Sequence, residues 1–189
     1  MKHKSLKIFV TMVSIILFII TLQGCIDQNN SESILVTAPL TTLVFKTNEL
    51  PENVIQFIEI YNDTEQYEPW PNVTAICTEK YTIDYRFNDT NKSHFLLLEL
   101  RKIESIEATE NSFKAQESVA LDTNLEIIPS ETIGDESVLA KVDTMYHIFF
   151  RKYNIIAVLT TAYDVGLETK EITDFAKIIL NNIESSVKS

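Results

Sequence analysis

Residues 8–22 are the most apolar stretch of the chain, and where they end up decides what is left to build a core. Only Thr11, Ser14 and Thr21 interrupt the run. Lys2, Lys4 and Lys7 precede it, and no acid does. A basic start followed by a short apolar run is the layout of a secretory signal, which is removed before the mature chain folds. The run has 15 residues, about 22 Å as a helix, short of the roughly 30 Å hydrocarbon core. A permanent transmembrane helix is therefore the weaker reading. The 45% hydrophobic content of the whole chain overstates what the mature domain can bury.

The run ends Leu22-Gln23-Gly24-Cys25. These residues resemble the lipobox of prokaryotic membrane lipoproteins, archaeal ones included: Leu, a variable residue, a small residue, then Cys. The resemblance implies cleavage between Gly24 and Cys25, with lipid joined to the Cys25 thiol. It places the mature protein on the extracytoplasmic face of the cell membrane. The chemistry agrees, since Gly24 lets a peptidase reach the backbone and a thiolate is readily alkylated. Two acyl or isoprenoid chains anchor stably where one does not. The alternative is a signal anchor that happens to contain a cysteine. The expected organisation is a signal peptide (1–24), a lipidated Cys with a flexible tether (25–33) and a single domain (34–189). The polar residues 26–33, as a coil, span about 15 Å.

Removing 24 residues takes away three lysines and no acid, leaving 165 residues with 13 Lys and Arg against 27 Asp and Glu. The formal charge moves from −11 to −14. Nucleic-acid binding needs a basic footprint, so that class is excluded. Anionic headgroups repel such a chain, and the domain is expected to stand off the surface that holds it. With Cys25 carrying lipid, Cys77 is left without a disulfide partner. Its parity with Tyr81, Ile83 and Tyr85 predicts a buried small hydrophobe rather than a reactive thiol.

Alternation of Tyr81, Ile83, Tyr85 and Phe87 with Thr82, Asp84 and Arg86 predicts a strand over 81–87 with one wet face. The polar cluster 88–93 reads as a turn. Residues 94–103, apolar on both parities in the middle, read as an interior strand covered on both faces. Residues 105–121 read as a helix with Ser105 as N-cap. Short strands follow at 125–128 and 138–142, the second after a turn over 133–137. Residues 145–151 and 155–163 read as a hairpin across Lys152-Tyr153-Asn154. Ile172, Phe175, Ala176, Ile179, Ile183 and Val187 recur at helical spacing, with Thr169 as candidate N-cap. The order predicts an α+β domain, an antiparallel sheet with helices on its faces. Residues 133–137, 148–156 and Phe175-Ala176-Lys177 resemble the C-terminal part of small prokaryotic lipoproteins with a PsbP-like α/β/α sandwich. Those proteins often carry Gly in the hairpin turn where this chain has Tyr153.

The mature chain has only Gly134 and Gly166. A P-loop, a dinucleotide-binding glycine turn and a Gly-x-Ser-x-Gly elbow are all absent, and no catalytic residue, cofactor or metal is assigned. His147 has no nucleophile or orienting acid at a recognisable spacing, so it reads as a solvent-facing or hydrogen-bonded strand residue. Glu104, Glu107 and Glu110 share a helical face and could hold a hard cation, but also suit a solvated helix start. Residues 122–126 alternate oxygen ligands but have Ile127 where a calcium loop needs Gly. Trp70, held between Pro69 and Pro71 with Tyr61 and Tyr67 upstream, is the candidate ligand contact, for sugar, peptide or another protein. Its plainer role is packing over a core edge. Asn29, Asn62, Asn72, Asn88 and Asn91 head Asn-x-Ser/Thr triplets and are candidate glycan acceptors.

Together these readings predict a lipid-anchored envelope protein displaying a non-catalytic binding or assembly domain whose protein or glycan partner the sequence does not identify. A surface enzyme with a dispersed acidic site that includes Asp135 and Glu136 is a second reading. A purely structural envelope component is a third.

Overall fold

The computed structural model describes residues 34–52, 54–65, 75–89, 92–122, 125–162 and 169–188. Ile34–Ser189 is one compact unit, divided from Met1–Ser33. Seven strands make one sheet: β1 (Val54–Glu65), β2 (Cys77–Asp89), β3 (Lys92–Ile103), β4 (Glu126–Ile128), β5 (Glu136–Val142), β6 (Met145–Lys152) and β7 (Ile155–Ala162). Their spatial order is β1-β2-β3-β7-β6-β5-β4, and every pairing is antiparallel. Helices α1 (Ile106–Asp122) and α2 (Thr169–Ser186) complete the described elements, with short 3-10 turns at Leu40–Thr42 and Thr47–Glu49.

Strand parity assigns the two faces. Tyr81, Ile83 and Tyr85 on β2, Leu96, Leu98 and Leu100 on β3, Ile148 and Phe150 on β6, and Ala157 and Leu159 on β7 join one large apolar cluster. Helix α2 closes that cluster with Ile172, Phe175, Ala176, Ile179 and Ile183, the stripe its sequence spacing predicts. Each large side chain buried there is worth about 1.5–3 kcal/mol. Val36, Leu40, Leu43 and Phe45, from the segment before β1, fill the remainder. The opposite parity carries Val138, Phe149, Val158 and Ile156, covered by Phe113, Ala120 and Ala108 of α1. The protein is thus mixed α+β, with an antiparallel sheet between two helices.

Several boundaries differ from the sequence reading. β2 and β3 run on to Asp89 and from Lys92, so the polar cluster 88–93 is mostly strand. β5 begins at Glu136, inside the expected turn 133–137. Thr169 is the first residue of α2 rather than its cap, and its carbonyl accepts from the Thr173 hydroxyl at 2.7 Å. Ser105 does cap α1, its Oγ accepting from the Ala108 amide at 3.1 Å. β3 is interior, but its second face is only half-buried and carries Glu99 and Arg101 beside Phe95 and Leu97.

The β6–β7 turn reduces to Tyr153 and Asn154, with Tyr153 at φ 54°. A left-handed first residue suits the twist of a two-residue hairpin, and glycine adopts it without strain. Here Asp135 compensates: its Oδ2 accepts the Tyr153 amide at 3.2 Å. Gly134 holds that aspartate in place. It sits at φ 68°, and a Cβ there would lie 2.4 Å from the Arg151 carbonyl oxygen.

Candidate functional site

The residues expected to form the leader and the anchor, including Gly24 and Cys25, lie outside the described residues, as do Asn29, Tyr67, Trp70, Asn72 and Asn91. Tyr61 and Asn62 fall within β1, opposite Tyr81 and Lys80 of β2. Asn88 lies in β2 opposite Ser93. Two candidate glycan acceptors, Asn62 and Asn88, therefore sit in paired strand and not in open turns.

The described structure does show how the chain after the expected tether is fastened to the domain. Four polar side chains, from different elements, take the backbone of residues 36–44. Asn154 Oδ1 accepts the Val36 amide at 2.7 Å, while its Nδ2 donates to the Ile103 carbonyl at 3.1 Å. Glu79 Oε1 accepts the Leu40 amide at 2.7 Å. Its other oxygen pairs with Lys102 Nζ at 2.6 Å, and that ammonium also donates to the Ala38 carbonyl at 2.6 Å. Asn182 of α2 donates to the Val44 carbonyl at 3.1 Å. An irregular segment lacks a ladder partner for its backbone, so buried amides and carbonyls must be met by side chains. Glu79 and Lys102 are only 11% and 12% exposed, so removing either leaves a charge without its counterion. Sequence reading missed this fastening. Its one legible trace is a charged residue, Glu79, on the Cys77–Tyr81 parity that otherwise faces inward.

The acids proposed for a dispersed site are committed to counterions. Arg151 is 9% exposed and lies 3.1 Å from Glu136, 3.6 Å from Asp135 and 3.9 Å from Glu110. Burial lowers the Arg151 pKa, but the Glu136 hydrogen bond and the surrounding acids outweigh it and leave it raised. Lys152 bridges Asp135 at 2.9 Å and Glu184 of α2 at 3.5 Å. The hydrogen bond to Asp135 raises its pKa. Glu110 also pairs with Lys114, which holds its carboxyl below the usual range. That pairing separates it from the exposed Glu104 and Glu107. Among the described residues no three His, Cys, Asp or Glu side chains gather as a metal site would require.

His147 sits half-buried on the α1 face, with Nδ1 3.0 Å from Thr160 Oγ1. Burial lowers its pKa. Cys77 is buried against Ala75, Ile103 and Ile156, donates to the Glu79 carbonyl at 3.2 Å, and has its pKa raised by burial. A thiol held in that state is a packing group. A cleft of about 290 Å³ opens between α2 and the loop after β4, floored by Leu139 and Thr173. Its charged rim pairs internally, Lys170 with Asp174 at 3.0 Å and Lys177 with Glu131. A nucleophile with a base and orienting group is not assembled there.

The fold and these pairings define an α+β domain bound tightly to the segment that leads to its N-terminus. No family model, curated protein or solved structure matches the chain. Among the described residues no helix is long and apolar enough to cross a membrane.

Proposed function

We propose that the protein is an envelope lipoprotein, tethered through lipid on Cys25 and displaying a non-catalytic binding or assembly domain on the extracytoplasmic face. The observation that carries this is the sequence Leu22-Gln23-Gly24-Cys25 at the end of a 15-residue apolar run. The described domain supports it. Its compact unit begins at Ile34, nine residues beyond the thiol counting Cys25 itself, and buried side chains grip the chain from Val36 onward. A tether is useful only if its far end is fastened, and that grip supplies the fastening. A sheet between two helices also supports assigning the domain to the PsbP-like sandwiches. Asp135 and Glu136 serve as counterions to Arg151 and Lys152, so the enzyme reading gains no support from them.

Cys25→Ser tests the anchor. The substitution removes the alkylatable sulfur, so the protein should leave the membrane fraction or accumulate as the longer precursor. Unchanged membrane retention with normal processing overturns the proposal.

A further inference from the structure

Five large apolar side chains remain exposed among the described residues: Ile34, Leu35, Ile76, Leu121 and Ile127. Three of them lie at one end of the domain. The Val36 amide bonds Asn154 in the β6–β7 turn, which places Ile34 and Leu35 at that end of the sheet. The Ile103 amide donates to the Asn154 carbonyl at 2.8 Å, and the next amide, Glu104, donates to the Ile76 carbonyl at 3.0 Å. Ile76 therefore belongs to the same end, pointing outward while Ala75 and Cys77 turn into the core. Ile34, Leu35 and Ile76 are 51%, 41% and 45% exposed. Half-buried Tyr153 stands beside them in the turn, with Lys152 Nζ 5.0 Å from its ring centroid.

We propose that this end of the domain seats on the lipid surface, with Ile34, Leu35 and Ile76 entering the headgroup region and Tyr153 and Lys152 at its rim. The proposal rests on the lipid anchor at Cys25. Scattered exposed apolar residues are ordinary on a protein surface. What separates these is their position, since the chain that runs to the anchor leaves from among them. A coil of nine residues, the form that the composition of the expected tether predicts, spans about 15–18 Å, which holds this end close to the headgroups and makes contact effectively intramolecular. Aromatic and basic side chains flanking an apolar tip suit the interface between water and hydrocarbon. This contact replaces the sequence expectation that the charge of −14 holds the whole domain off the surface, since that repulsion acts against anionic headgroups. Glu79 and Asp135, the acids that bond the strap formed by residues 36–44 and the β6–β7 turn, are paired with Lys102 and Lys152. Glu104 and Glu107 remain exposed, so the surface that fits is zwitterionic.

The test places a reporter tryptophan at each end, in a Trp70→Phe background. Ile76→Trp and Leu35→Trp report the tether end. Thr144→Trp reports the far end, in the exposed β5–β6 turn. The mature chain is held on phosphatidylcholine vesicles containing brominated lipid, through its own lipid or through a maleimide lipid coupled at Cys25, the buried Cys77 being shielded. Circular dichroism checks that each variant folds. Bromine should quench Ile76→Trp and Leu35→Trp with a blue-shifted emission, about twofold or more beyond Thr144→Trp. Equal quenching at both ends overturns the proposal. Because the maleimide route does not depend on natural lipidation, that failure is distinct from an unmodified native Cys25, which instead sinks the anchor.

Discussion

The two faces of the sheet are built differently. The α2 face is a continuous apolar cluster that runs from β2 across β3, β7, β6 and β5. The α1 face has two small clusters, Ala75 with Cys77, Ile103 and Ile156, and Phe113 with Ala120, Val138 and Phe149. Around them lie Lys80, Glu99 and Arg101 in close ion pairs, the Asp84–Arg86 pair, and Arg86 5.5 Å above the Phe95 ring. The difference teaches that apolar packing and polar pairing are separated by side. One face carries the fold, and the other keeps polar side chains half in contact with water.

The largest effects should separate the faces. Phe150→Ala, on the α2 face at 0% exposure, should cost about 4 kcal/mol, and its neighbour Phe149→Ala, on the α1 face, about 3 kcal/mol. Urea titration measures both, and a larger loss at Phe149 would break the distinction. Glu79→Ala strands Lys102 and the Leu40 amide and should cost about 2 kcal/mol, with protease cutting appearing first in residues 36–44. Loss without strap release would mean the pair acts only locally. Gly134→Ala should cost about 1–2 kcal/mol, since its left-handed backbone and the Arg151 carbonyl both oppose a Cβ.

The smallest effect is at His147. Burial lowers its pKa in the folded state, so the unfolded chain binds the proton more readily. Its contribution to stability is complete above the ordinary value of 6.5 and is lost as pH falls below it toward the folded-state pKa. His147→Gln should flatten the pH dependence of melting temperature in that window and change little above it. An unchanged slope would show that His147 titrates as freely in the fold as out of it.

The sequence reveals α2 because its apolar residues keep helical spacing for their whole length. It reveals β2, β6 and β7 because alternation or apolar density survives there. It does not reveal β1. A register shift between Gln56 and Ile58 breaks the alternation of Ile55 and Phe57 from that of Ile58 and Ile60, so no single parity persists. The strap was equally hidden. Asn154, Asn182 and Glu79 act on backbone 39 to 138 residues away, and polar groups acting across that distance leave no local pattern. The ion pairs around Arg151 leave no local trace either, because Arg151 lies on β6, opposite Glu136 in the β5–β6 register and 15 residues along the chain. Of the candidate site residues, Tyr61, Asn62 and Asn88 are placed only by strand register, and Trp70 lies beyond the described residues.

Mass spectrometry of the N-terminus of the protein purified from its own membranes is the most direct measurement. The account predicts a chain that begins at Cys25 and carries the mass of attached lipid. A chain that retains Met1, or one that begins at Cys25 with an unmodified sulfur, would contradict it.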